Sequence, residues 1–204
     1  MLVNRVLDEV FSRWSNVAVL RALNRHVVGM SGREVARVAG ITNKNCITAL
    51  VDFENLGIVT CERGGREHSY KLNRKHALVE DALMPLLKYE EEYFDRIASY
   101  LRAKLKDKTV SLIVFGSVAR KEETMKSDYD LCVVAADVRL KEKAQDAYFD
   151  IAFEITKRFG VTVSPIYFTK HEFTQRARKN KAPINNIVKE GKVISGLSIR
   201  ELIK

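Results

Sequence analysis

The order of apolar and polar positions divides the chain into three successive patterns. Near the N-terminus, Val17, Leu20 and Leu23 recur at the spacing of one helix face. A second helix is predicted to begin at Ser31-Gly32-Arg33-Glu34, where Ser31 and Glu34 can satisfy each other's backbone amides as a capping box, with Val35, Ala36 and Ala39 on its apolar side. Gly40 supplies its C-cap and Ile41 fills the turn. Thr42 then caps a third helix from Asn43 to about Asn55, and Ile47, Leu50, Val51 and Leu56 are expected to face inward. A strand over Ile58–Glu62, the turn Arg63-Gly64-Gly65-Arg66 and a returning strand near Ser69–Leu72 follow. From Lys75 to about Leu105 the pattern is helical, interrupted at Pro85. Leu87, Phe94, Ile97, Ala98, Leu101 and Leu105 form a stripe opposite Glu90, Glu91, Glu92 and Asp95. Such a stripe packs either on the chain's own sheet or on the same helix of a second subunit, which would make a homodimer. Beyond it, strands alternate with helices, beginning with β-rich runs at Val110–Phe115 and Leu131–Ala135.

Composition narrows the class. With 204 residues, 46% hydrophobic and 30% charged, the chain is neither disordered nor collagen-like. Its 35 Lys and Arg against 26 Asp and Glu give a formal charge of +9, which places nucleic acid and nucleotides first among partners. Of that surplus, +5 falls in residues 1–75 and +4 in the remainder. Cys46, Cys61 and Cys132 are odd in number and widely spaced, so neither a disulfide framework nor a C-x-x-C metal site is available, and buried small hydrophobes are expected. His26, His68, His76 and His171 stand apart, with no ligand spacing. Arg176, Arg178, Lys179 and Lys181 form a basic cluster that is either a solvated helix face or a second contact for an anion. The first residues lack a signal-peptide pattern, and no run approaches the ~18 apolar residues of a membrane span. A soluble, cytoplasmic protein with no membrane partner is the expectation.

Helix-turn-helix followed by a basic hairpin, over roughly Val17 to Asn73, resembles the winged helix-turn-helix domains of bacterial and archaeal regulators. The resemblance implies DNA as a partner. The third helix would enter the major groove with Asn43, Lys44, Asn45 and Thr48 exposed, the Asn pair suited to adenine edges, while Arg63 and Arg66 in the wing reach phosphates or the minor groove. Asp52, Glu54, Glu62 and Glu67 dilute that basic face, and a winged helix can instead serve protein contacts.

The residues that carry chemistry lie further on. Gly116 and Ser117 end one β-rich run, ten residues separate Ser117 from Asp128, and Asp128-Tyr129-Asp130 leads into the next, giving G-S-x10-D-x-D. Alternation along a strand sends both carboxylates to one face and Tyr129 to the other. Two such carboxylates repel unless a cation lies between them, and hard Mg²⁺ suits both them and a triphosphate. Gly116 lets the backbone approach a phosphate, and Ser117, at a helix start, can offer its hydroxyl and amide.

Val114-Phe115-Gly116-Ser117-Val118-Ala119-Arg120 with Ser127-Asp128-Tyr129-Asp130-Leu131 resembles the signature of the minimal nucleotidyltransferases of the DNA polymerase beta superfamily, over about Thr109 to Gly196. The resemblance implies a short mixed sheet and transfer of a nucleoside monophosphate from an Mg²⁺-bound nucleoside triphosphate to an acceptor. Gly116 and Ser117 would hold the triphosphate, Asp128 and Asp130 would ligate Mg²⁺ and serve catalysis, and Arg120 would lie near the phosphates. Glu190-Gly191-Lys192-Val193-Ile194-Ser195-Gly196 resembles the family's closing strand. The family usually carries a third carboxylate on the strand after the long helix. Here that strand, Gly160–Phe168, has no acid; Thr162 or Ser164 occupies the position, and Glu122, Glu123 or Glu172 are the candidates to substitute.

The fold expected is therefore α+β: a winged helix over 1–75, a helical linker over 76–106, and a nucleotidyltransferase-like α/β domain over 107–204. The function expected is DNA binding joined to Mg²⁺–nucleotide binding and transfer to an acceptor hydroxyl. Its alternatives are a nucleotide-sensing regulator that has lost catalysis and an antitoxin-like partner of a toxin.

Overall fold

A computed structural model describes residues 2–64 and 67–204. The chain forms two compact units, Met1–Glu92 and Tyr93–Lys204. The first contains α1 (Val6–Val10), α2 (Trp14–Asn24), β1 (Met30–Ser31), α3 (Gly32–Ala39), α4 (Asn43–Asn55), β2 (Val59–Arg63), β3 (His68–Leu72), a π-helical turn (Val79–Leu83) and α5 (Met84–Glu91). Local chemistry sets several of these boundaries. The Ser31 amide donates to Glu34 Oε2 at 2.8 Å while Ser31 Oγ accepts from the Glu34 amide, which is the expected capping box. Gly40 ends α3 in the left-handed region at φ +67°, and Thr42 Oγ1 accepts from the Asn45 amide to start α4. The strands form an antiparallel sheet in the order β1-β3-β2, with Tyr70 of β3 opposite Met30 on one side and Cys61 on the other.

The phase of α4 differs from the sequence expectation. Cys46, Ala49, Leu50 and Phe53 are fully buried, whereas Ile47 and Val51 are 43% and 44% exposed. Phe53 is the largest of these side chains and belongs at the centre of the core, and Cys46, one helical turn before Leu50, fills the small space beside Gly32, whose carbonyl accepts from its thiol. That choice turns Ile47 and Val51 outward.

The stretch expected to form a linker is shared between the units. Val79, Leu83 and Leu87 complete the first core. Pro85 sits in the first turn of α5, directly after the π-helical turn, and the helical run continues through it. Glu90 and Glu91 are exposed and paired: Arg21 grips Glu90 with two bonds of 2.5 and 2.6 Å, and Arg25 pairs with Glu91 at 3.0 Å.

The second unit runs α6 (Tyr93–Leu105), a 3-10 turn (Lys106–Lys108), β4 (Ser111–Val114), α7 (Gly116–Arg120), β5 (Tyr129–Ala135), α8 (Val138–Phe159), β6 (Val163–Thr169), α9 (Lys170–Arg178), α10 (Ile184–Glu190), β7 (Lys192–Gly196) and α11 (Ile199–Ile203). Its sheet has the order β6-β5-β4-β7, with β5 and β6 parallel and the other pairs antiparallel, so it is short and mixed. Strand alternation divides the apolar side chains between two faces. Leu112, Val114, Leu131 and Val133 pack with Ile97, Leu101 and Leu105 of α6 and Ile151 and Ile155 of α8. Ile113, Cys132 and Val134 pack on the other side with Phe173, Ile184, Ile187 and Leu202. The α6 half of the stripe thus meets the chain's own sheet, the first of the two expectations, while Leu87 belongs to the other unit.

All three cysteines are free thiols; Cys46 and Cys132 are buried, and burial pushes their thiols up to about 11 and about 12, while Cys61 is half-buried. Among the described residues no helix is long and apolar enough to cross a membrane.

Candidate functional site

The site forms where β4 gives way to α7 beside the start of β5. Phe115 is extended, and its amide donates to the Asp130 carbonyl at 3.1 Å, which keeps the end of β4 against β5. Gly116 then adopts φ +72°, and a Cβ on it would lie 2.1 Å from Asp130 Oδ2 and 3.1 Å from Asp130 Cγ. The Asp130 carboxylate therefore occupies the space that any other residue at 116 would fill. Ser117 follows in the first turn of α7, half-buried.

Asp128 precedes β5 and is exposed; Asp130, within it, is half-buried. Burial raises the Asp130 carboxyl above its ordinary value, the charge of Asp128 raises it further, and Arg120 opposes the shift. Tyr129, between them, turns into the core at 3% exposure, its ring 6.1 Å from that of Phe94, as strand alternation requires. Its hydroxyl finds no hydrogen-bond partner among the described residues, and desolvation raises the phenol strongly.

β6 brings Ser164 into register with Asp130, and Ser164 Oγ donates to Asp128 Oδ2 at 2.8 Å. Of the two hydroxyls named from the sequence, Ser164 is the one beside the carboxylate pair; Thr162 contributes its backbone carbonyl to the Tyr129 amide. The substitute acids are engaged elsewhere or stand apart. Glu122 accepts from Arg120, Glu172 closes the capping box at the start of α9 and pairs with Lys141, and Glu123 lies exposed in the loop. Among the described residues there is no group of three or more His, Cys, Asp and Glu side chains able to hold a metal ion. Two carboxylates and a hydroxyl are nevertheless hard oxygen donors of the kind Mg²⁺ takes, and a divalent cation would relieve the repulsion that raises Asp130.

Arg120 donates from Nε to Glu122 at 2.8 Å and from Nη1 to Glu190 at 2.7 Å. Both ends of its guanidinium fork are thus occupied by carboxylates. Sequence reasoning missed Tyr148 of α8, whose hydroxyl donates to the Val163 carbonyl at 2.6 Å and whose phenol is raised by burial and then by the charge of Asp128. No motif marks it, because it reaches the site only through the packing of α8 on β6.

In the first unit, Asn43, Lys44 and Asn45 are exposed at the start of α4, and Thr48 is half-buried with its hydroxyl donating to the Lys44 carbonyl at 2.9 Å. Arg63 bonds Glu54 of α4 at 2.8 Å, so the turn end of β2 is tied back to that helix. Arg66 lies outside the described residues. Asp52 and Glu62, counted as diluting the basic face, are paired with Arg13 and Lys71.

Comparison with known proteins matches residues 94–194 to the nucleotidyltransferase domain family, from α6 to β7 and across the whole carboxylate site. This part of the chain is a nucleotidyltransferase domain. A Methanocaldococcus jannaschii protein with the provisional name protein adenylyltransferase is 27% identical over 105 residues, 52% of this chain and 97% of the relative. Among solved structures, a toxin–antitoxin complex with AMP-PNP aligns at TM-score 0.33 and 16% identity, over 52% of this chain and 76% of its own. A mutant of the toxin–antitoxin MntA-HpeT aligns at TM-score 0.34 and 14% identity, over 51% and 76%.

Proposed function

We propose that the nucleotidyltransferase domain binds an Mg²⁺–nucleoside triphosphate, with ATP the first candidate, and transfers the nucleoside monophosphate to a protein hydroxyl. The observation that carries this reading is the fit of the Asp130 carboxylate over Gly116, which joins the carboxylate pair to the glycine turn and the first turn of α7 in one site. The name of the Methanocaldococcus jannaschii relative favours ATP as donor and a protein as acceptor.

Asp128 and Asp130 would hold Mg²⁺, which when bound supplies charge neutralisation for the leaving pyrophosphate and lowers the pKa of an attacking hydroxyl. Gly116 leaves the backbone open to the phosphates, and the Ser117 hydroxyl and amide bind them. Arg120 would exchange a carboxylate partner for phosphate oxygen, an exchange favoured by its bidentate geometry. Ser164 orients Asp128 through its hydrogen bond. In transfer, the acceptor oxygen bonds to the α-phosphorus as the α–β bridging P–O bond breaks, and pyrophosphate leaves. The acceptor's proton passes to water, because a serine hydroxyl is no base near neutral pH.

Incubation with labelled nucleoside triphosphates, Mg²⁺ and cell extract tests the reading against Asp128→Ala plus Asp130→Ala. Labelling by the native protein alone supports it, and labelling by neither protein removes it.

Ser164 favours a second reading, a domain that senses nucleotide without turnover, since it stands where the strand could have offered a carboxylate. Nucleotide binding by calorimetry with no covalent product would favour that reading over the first.

For the N-terminal unit the proposal is a winged helix that binds DNA through Asn43, Lys44, Asn45, Thr48 and Arg63, together with Arg66, which lies outside the described residues. The α3–α4 pair joined through Gly40, the three-stranded sheet and the hairpin support it. Binding that weakens steeply between about 50 and 200 mM salt is the expected result, and a flat response would instead favour protein contacts.

A further inference from the structure

Residues 173–189, from within α9 through the following loop and along α10, carry Arg176, Arg178, Lys179, Lys181 and Lys189 and no acid. These five side chains are exposed, and none takes part in an ion pair among the described residues. Arg176 lies over the Phe168 ring at 5.2 Å and Arg178 donates to the Lys204 carbonyl at 3.5 Å, so their charges are positioned but not neutralised. The acids of α9, α10 and α11 are engaged elsewhere. Glu172 and Glu201 close the capping boxes of α9 and α11, Glu172 also pairs with Lys141, and Glu190 bonds Arg120. A stretch without acids is not unusual by itself, and residues 10–33 form another. There, however, Arg13, Arg21 and Arg25 are paired with Asp52, Glu90 and Glu91. On the α9–α10 surface the fold supplies no such partners.

We propose that this surface binds the phosphate backbone of a nucleic-acid strand. Cations spread over one helix end, a loop and the next helix suit a chain of regularly spaced phosphates. Asn180, Asn185 and Asn186 lie in the same stretch, and amide side chains are common donors to phosphate and sugar oxygens. A protein partner fits less well. Protein interfaces place aromatic and apolar side chains at their centre and charge at their rim, whereas the exposed large apolar side chains of residues 170–204 are Val188 and Val193, only 39% and 37% exposed. Nucleic-acid interfaces are polar and strongly positive, as this surface is. Phe173 is the one aromatic ring of the stretch and is fully buried, so no ring is offered to a base and the contact is indifferent to sequence. Binding of this kind needs neither nucleotide nor Mg²⁺, and it is measured without them, apart from any transfer activity.

Fluorescence anisotropy of the full chain in EDTA, with labelled duplex DNA, single-stranded DNA and RNA of about 20 nucleotides, reads this binding. Arg178→Ala with Lys179→Ala and Lys181→Ala should weaken it at least about tenfold at about 50 mM salt and lower the salt slope by about two to three. Circular dichroism and melting temperature should not change, because the three side chains are exposed. Arg178→Lys with Lys179→Arg and Lys181→Arg should bind like the native chain, since charge alone is used. Arg139→Ala with Lys143→Ala and Lys157→Ala removes the same charge from exposed positions of α8 and should cost no more than about threefold. The strand type for which the α9–α10 variant loses affinity is the ligand. A native chain that binds none of the three, an α9–α10 variant no weaker than the native chain, an equal loss from the α8 variant, or competition by polyglutamate as effective as that by nucleic acid would each overturn the proposal.

Discussion

The missing side chain of Gly116 and the carboxylate of Asp130 share one space: a Cβ at 116 would stand 2.1 Å from Asp130 Oδ2. Gly116 also holds φ +72°, where an L-residue pays about 1–2 kcal/mol. Gly116→Ala should therefore lower the melting temperature by several degrees and, by pushing Asp130 aside, weaken Mg²⁺–ATP binding tenfold or more. Melting curves and calorimetry measure the two effects. Full nucleotide affinity in the alanine variant would mean that Asp130 does not need its present position.

Ser164 donates to Asp128 at 2.8 Å, and in Ser164→Asp a third carboxylate takes its place. Without a divalent cation three carboxylates repel, so the variant should melt below the native protein in EDTA. Mg²⁺ should recover the difference, giving a larger Mg²⁺-dependent rise in melting temperature than the native chain has. Equal responses to Mg²⁺ in the two proteins would show that no ion is held at this edge of the sheet.

Lys44 is exposed at the start of α4, while Arg63 is tied to Glu54 at 2.8 Å. Lys44→Ala should weaken DNA binding about equally across sequences and reduce the salt slope by about one. An exposed pair such as Arg63–Glu54 contributes only about 0–1 kcal/mol, so Glu54→Gln should release the arginine at little cost and tighten binding. Fluorescence anisotropy at several salt concentrations checks both; Glu54→Gln binding more weakly than the native chain would count against the arginine as a phosphate contact.

What could be read from the sequence was what acts locally. The Ser31–Glu34 box, the Gly40 cap and the Thr42 cap are decided by neighbours within a few residues, and each appears where the pattern put it. The G-S-x10-D-x-D spacing was legible because strand alternation fixes the faces of Asp128, Tyr129 and Asp130 without reference to the rest of the fold. Contacts across long separations were not. Arg120 reaches Glu190 and Ser164 reaches Asp128 only after the sheet has assembled, and no spacing rule joins them. In α4, Ile47 and Val51 share a spacing with Leu50 as acceptable as that of Cys46 and Phe53, and the choice fell to core volume.

That choice is measurable. Phe53→Ala empties a fully buried site and should cost about 3–5 kcal/mol, whereas Ile47→Ala and Val51→Ala at exposed positions should change stability by no more than about 0.5 kcal/mol. Denaturant titration separates the two groups. A large loss from Ile47→Ala would return the helix to the phase first expected of it.

Acid stability has a defined sign at the capping boxes. The Glu172 carboxylate accepts from the Thr169 amide at 2.7 Å and faces Lys141, and these contacts hold its carboxyl below its ordinary 4.5. Glu34 with Ser31 and Glu201 with Ser198 are lowered for the same reason. The folded state thus binds the ionised forms better than the unfolded chain does. Their contribution is complete above the unfolded value near 4.5 and is lost as pH falls through the lower folded values, and raising pH further adds nothing. All three groups are largely solvated, so each contribution is small. Replacing Glu34, Glu172 and Glu201 together by Gln should lower the melting temperature modestly at neutral pH and flatten its decline between about pH 5 and 3, since the amides do not titrate. An acid decline as steep as that of the native protein would assign it to other carboxylates.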